Sequence, residues 1–147
     1  MKKQIIFPLM MLAALCGLAS CEFEPSDNGE LDGLWQMVSV DTLSTGKSTD
    51  LREQSMSWGF QGEILELRYM SDENMDIIYS FQHTTDSLFL ANPYFVKRDS
   101  GDIAIEDTEI ISLYGINRVD ERFKVRSINH DRLVLETSAL RLLFRKY

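Results

Sequence analysis

The sequence predicts an all-β domain, an antiparallel barrel of about eight to ten short strands, on three observations. After Gly33, large apolar residues recur with a period of two rather than 3.6. Turn-forming clusters punctuate these runs: Gly62, Ser71 to Asn74, Asn92 with Pro93, Ser100 to Asp102, and Asn129 to Asp131. Residues 33 to 147 contain no repeat of fixed period, no low-complexity block and no linker long enough to separate domains, so they form one domain around one core.

The first strand is LWQMVSVD, residues 34 to 41. Asp50 and Glu53 then have capping-box spacing, so Thr49 to Met56 can begin with a helical turn. SMSWGF, 55 to 60, follows as a strand, and EILELRYM sets Leu65, Leu67 and Tyr69 against Glu66 and Arg68. In MDIIYSFQH, Met75, Ile77, Tyr79 and Phe81 share one strand face, with Ile78 the apolar exception on the other. SLFL at 87 to 90, YFVK at 94 to 97 and EIISLY at 109 to 114 are three further strands. ERFKVRSI sets Phe123 and Val125 between Arg122, Lys124 and Arg126, RLVLET sets Leu133 and Leu135 against Arg132, Val134 and Glu136, and the turn between them makes the pair a hairpin. The C-terminal LRLLFRKY fits helical spacing through Leu140, Leu143, Phe144 and Tyr147, and strand spacing through Leu140, Leu142 and Phe144. Strand is the expectation, because the segment is short and the preceding hairpin needs a further strand to cover its edge.

The N-terminus has a different logic. Lys2 and Lys3 precede an apolar run from Ile5 to Ala19, too short for a membrane span of about 20 residues and laid out as a secretory signal over residues 1 to 20. Leu18-Ala19-Ser20-Cys21 resembles the bacterial lipobox, which implies cleavage before Cys21 and acylation of its thiol and amino group. More than one acyl chain gives stable anchorage without a transmembrane helix, at about 0.8 kcal/mol per buried methylene. Cys16 leaves with the signal, so the mature domain has no disulfide and depends on its core. Residues 21 to 32, rich in Glu22, Glu24, Asp27 and Glu30, read as an acidic tether. In lipoproteins of the Bacteroidota such a run accompanies export to the cell surface; the acids here are interrupted, which leaves the surface and the periplasmic face of an outer membrane both open.

The chain carries 15 basic and 23 acidic residues, and loss of Lys2 and Lys3 moves the balance to about −10. That charge argues against nucleic acid and against electrostatic attachment to anionic lipid.

Gly33-Leu34-Trp35 at the start of the first strand resembles the lipocalin-type opening. With the strand count and the lipobox, the chain is similar to the small lipocalin-like lipoproteins of Bacteroidota, a family of largely undefined role. The resemblance implies a lipocalin-like (calycin) barrel in which a basic residue near the C-terminus packs against Trp35. Arg145 is the first candidate and Arg141 the second, through a cation–π contact of about 0.5 to 2 kcal/mol.

Candidate chemistry is sparse. Asp72, Asn74 and Asp76 fall at the first three ligand positions of a calcium loop, but Ile77 stands where glycine is needed and His83 where glutamate is, so a solvated turn is expected and no metal. His83 and His130 are the only histidines, too few for a zinc cluster without cysteine. Neither a nucleophile elbow nor a phosphate-binding glycine loop is present, so no catalytic residue and no cofactor is assigned. Met56, Trp58 and Phe60 share one strand face, and Tyr79 and Phe81 another. These five either line a pocket for a small apolar ligand or fill the barrel. The corresponding expectations are a ligand-binding lipoprotein held to the membrane through Cys21, or a filled barrel that binds an envelope protein partner.

Overall fold

The computed structural model describes residues 26–69 and 76–147. Among the described residues ten strands form one antiparallel sheet: β1 (Gly33–Thr42), β2 (Ser48–Asp50), β3 (Met56–Gln61), β4 (Ile64–Tyr69), β5 (Ile77–His83), β6 (Ser87–Phe95), β7 (Ile103–Ala104), β8 (Glu121–Ile128), β9 (Arg132–Glu136) and β10 (Leu140–Lys146). The order β10-β9-β8-β6-β5-β4-β3-β1, closed by pairing of β1 with β10, makes an eight-stranded barrel; β2 and β7 are short additions at its edges. Closure leaves the barrel strands without a free edge.

Alternation decides what lies inside. Trp35, Met37, Met56, Trp58, Phe60, Leu65, Leu67, Ile77, Tyr79, Phe81, Leu88, Leu90, Phe123, Leu133, Leu135, Leu142 and Phe144 form one buried cluster. Trp58 packs against Phe144, Phe123 and Phe60 at centroid distances of 5.0, 5.7 and 6.2 Å, and Phe60 meets Phe81 edge-on at 5.1 Å. Tilted and edge-to-face rings at such distances pack as a solid aromatic core.

Four expectations change. EIISLY is not a strand: Ile111–Tyr114 is a 3-10 turn ending at Gly115 in the left-handed region, φ 78°. Ile111, Tyr114 and Ile116 enter the core there, and Gly115 sits so close to β10 that an added Cβ would lie 2.5 Å from Leu142 Cδ2. Asn92 and Pro93 do not end a strand. SLFL and YFVK are halves of one strand, β6, bulged where Ile78 pairs with Tyr94 and Ser80 with Ala91. Asn92 takes φ 54° and Pro93 has no N–H to offer, so both fit the two-for-one step of a bulge.

The helical turn after Asp50 is confined to the 3-10 residues Arg52–Gln54. The segment expected as a tether is also partly folded. From Ser26 onward it packs on the barrel, with a 3-10 turn at Gly29–Leu31 and Leu31 buried. Residues 1–25, with the signal, Cys21 and the first tether acids, and the loop carrying Asp72 and Asn74 lie outside the described residues.

Candidate functional site

Two places on the barrel gather polar and aromatic side chains, the end that bears Trp35 and a cleft on the wall. At the first, β1 and β10 pair Trp35 with Lys146 and Gln36 with Arg145. Paired residues in an antiparallel ladder point to the same face. Lys146 therefore follows Trp35 inward, with Nζ 4.8 Å from the centre of the tryptophan ring. Arg145 points outward, where its Nε donates to Gln36 Oε1 at 2.6 Å. The cation on Trp35 is thus Lys146, and the assignment of that contact to Arg145 or Arg141 is corrected by register: Arg141 is outward too, its Nε bonded to Glu136.

Residues 26 to 32 seal this end. Trp35 Nε1 donates to Leu31 O at 2.8 Å, and Lys146 Nζ to Glu30 O at 2.9 Å. Gly33 has φ 114°, which favours glycine, and a Cβ on it would lie 2.9 Å from Lys146 Cε, a flexible side-chain end that would have to shift off Trp35 to make room. Asn28 Nδ2 donates to Gly62 O at 2.7 Å, which turns Oδ1 toward His83 Nε2 at 3.1 Å. That orientation assigns the proton to His83 Nε2 and gives the histidine a structural use as a latch.

The second site is a cleft of ≈ 810 Å³. Its buried members Phe81, Leu90 and Glu121 form a row across β5, β6 and β8, since Phe81 pairs with Leu90 and Leu90 with Glu121. Ser80, Gln82, Phe89 and Arg122 contribute exposed side chains, and the chain at 117 to 121 and the β9–β10 turn at 137 to 139 complete the lining. The β6 bulge shapes it: Asp120 Oδ1 accepts the Asn92 N–H at 3.0 Å and holds the loop against the bulge. Glu121 is 8% exposed, yet its carboxylate accepts the N–H groups of Asn117 and Arg122 at 3.2 and 3.1 Å. Arg122 lays its guanidinium 4.6 Å over the Phe89 ring. The result is an amphipathic surface carrying both charge signs.

Met56, Trp58, Phe60 and Tyr79 are packed inside the barrel; of the five residues singled out for a ligand, Phe81 alone borders the cleft. Tyr79 hydroxyl and Trp58 Nε1 are buried and have no hydrogen-bond partner among the described residues. Burial first, then the charges of Asp120 and Glu121, push the Tyr79 phenol well above its ordinary range, so it stays protonated. His130 is exposed in the β8–β9 turn. No group of three or more potential metal ligands occurs among the described residues, and no described helix is long and apolar enough to cross a membrane.

The sequence reading missed the cleft because Ser80, Leu90, Glu121 and Arg122 converge through pairing register. The available signal was Asn92-Pro93 inside an otherwise regular strand, which marks a bulge as well as it marks a turn.

A family model described as a lipocalin-like domain matches residues 14–147. No curated protein matches the chain. Among solved structures, a lipocalin-like protein from Bacteroides uniformis ATCC 8492 superposes with a TM-score of 0.61 at 17% identity, covering 81% of this chain and 100% of that one. An uncharacterized protein from Bacteroides eggerthii DSM 20697 gives a TM-score of 0.57 at 16% identity, over 80% and 99%. At these identities the likeness establishes the barrel fold.

Proposed function

This chain belongs to the lipocalin-like domain family, and from that premise we propose that it is an acylated, non-catalytic cell-envelope lipoprotein whose barrel binds a small amphipathic ligand. Cys21 carries the lipid and holds the domain at the outer membrane, on its periplasmic or its surface face. The observation that carries the binding reading is the ≈ 810 Å³ cleft, where Phe81, Phe89 and Leu90 meet Arg118, Asp120 and Arg122. That volume lies within the range of ligand pockets, about 300 to 1,000 Å³, and the mixed lining suits a molecule with one apolar face and several polar groups.

The ligand site is therefore moved from the barrel interior to its wall. Native mass spectrometry of the protein purified from its own host tests this. A retained small molecule is expected, lost in Ser138→Trp, which fills the cleft from an exposed turn without touching the core. Retention of the same molecule by Ser138→Trp would place the site elsewhere. For the anchor, palmitate labelling should disappear in Cys21→Ala; persistent labelling would defeat it.

The packed aromatic interior favours a second reading, a filled barrel that serves as a protein-interaction module in an outer-membrane assembly. Cross-linking in intact cells to one envelope protein, with no small molecule on the purified domain, is the result that would select it.

A further inference from the structure

We propose that the barrel stands on the membrane with its Trp35 end toward the bilayer, the shortness of the chain between Cys21 and Ser26 keeping that end near the headgroups and ruling out the inverted orientation. The proposal rests on acylation at Cys21.

The described chain is already packed on the barrel at Ser26, well before the first strand. Ser26 Oγ donates to Asp32 Oδ1 at 2.8 Å and accepts the Gly62 N–H at 3.2 Å, and Asn28 ties the same segment to Gly62 and His83. Attachment is thus fixed to the β3–β4 turn, beside Gly33, which pairs with Phe60. Five residue steps separate Cys21 from Ser26, and at 3.3–3.6 Å each they reach at most about 18 Å.

The barrel is taller than that. Nine steps along β1, from Gly33 to Thr42, run about 30 Å, or about 23 Å along the axis at a strand tilt of 35–45°. The turn beyond Thr42 adds further height. Inverted, the domain would hold Ser26 about 23 Å above the headgroups, beyond the reach of an extended tether. A free tether running to Gly33 would have allowed every orientation; the folded segment 26 to 32 removes the inverted one.

The far end then projects from the membrane. It includes the β9–β10 turn, where Ala139 O accepts the Leu43 N–H at 2.9 Å, and with it the Thr137–Ala139 side of the cleft. A ligand or partner in the aqueous phase meets that end first.

Acylated protein with one introduced thiol tests this, because the sulfur of Cys21 is consumed by the lipid. His130→Cys reports the near end, where Asp131 O accepts the Lys146 N–H, and Ser44→Cys reports the far end; both positions are exposed. Each is labelled with a fluorophore on vesicles of phosphatidylethanolamine and phosphatidylglycerol bearing a headgroup nitroxide. Quenching should be several-fold stronger at 130 than at 44. A flexible Gly-Ser insert of about twelve residues after Glu24, which adds about 20 Å of mean reach, should erase most of the difference. Equal quenching in the uninserted, vesicle-bound protein overturns the orientation, and a difference that survives the insert overturns the tether as its cause. Protein that fails to float with the vesicles overturns the anchoring reading as well.

Discussion

Lys146 Nζ lies 4.8 Å above the centre of the Trp35 ring while donating to Glu30 O, so one ammonium closes the barrel seam and pins the N-terminal segment over it. A double-mutant cycle of Trp35→Leu with Lys146→Ala should show a coupling of about 0.5 to 2 kcal/mol in urea unfolding. The same cycle with Arg145→Ala should show almost none, because Arg145 lies on the opposite face. Equal coupling in both cycles would mean that the register is misassigned. Trp35→Ala, which leaves a cavity, should cost about 3 to 5 kcal/mol.

That seam shows how far the fold was legible in the sequence and where legibility stopped. Period-two alternation located most of the barrel strands, and Gly33 with Trp35 located the start. The same alternation puts Leu142 and Phe144 inside, and carried two residues further it points to Lys146 rather than Arg145. EIISLY failed for another reason. Ile110 and Ile111 look like part of a strand because β-branched residues serve a packed turn equally well, Leu113 being exposed in the same turn, and only Gly115 hinted at the left-handed exit. The cleft was illegible in a stronger sense, since no sequence rule supplies the cross-strand neighbours of Leu90.

Gly115→Ala should be among the most damaging single-methyl changes in the chain. The site combines φ 78° with a Cβ position 2.5 Å from Leu142 Cδ2, whereas Gly46 at φ 70° has no neighbour within 4 Å. Left-handed strain of about 1 to 2 kcal/mol applies to both, and overpacking adds about 1 to 3 kcal/mol to the first alone. Thermal melts should therefore rank Gly115→Ala clearly below Gly46→Ala. Similar melting temperatures would mean that the 3-10 turn is not packed against β10.

Acid titration should single out Asp50. Its side chain accepts from Arg52 Nε at 3.0 Å and from the Arg52 backbone N–H at 3.0 Å, and these bonds, the side-chain one foremost, lower its pKa from 3.8 to about 2. A depressed folded pKa means stabilisation that is fully present above 3.8 and lost as the pH falls through about 2. Asp50→Asn should thus trail the wild type by a constant small margin above pH 4 or so, and the gap should close toward pH 2. The carboxyl carbon resonance supplies the direct check, and a midpoint near 3.8 would remove the Arg52 bond from solution.

Tyr79→Phe probes the packed interior. The hydroxyl is buried without a hydrogen-bond partner among the described residues, and an unmade bond of that kind costs about 1 to 3 kcal/mol. Deleting the oxygen while keeping the ring should leave stability unchanged or raise it, whereas Tyr79→Ala should cost several kcal/mol through the cavity it opens. If Tyr79→Phe instead loses about 1 kcal/mol or more, the hydroxyl has a partner in solution, and a bound water or ligand group inside the barrel becomes the explanation to pursue. The sign of this one change separates a filled barrel from one that still holds a polar guest beside Tyr79.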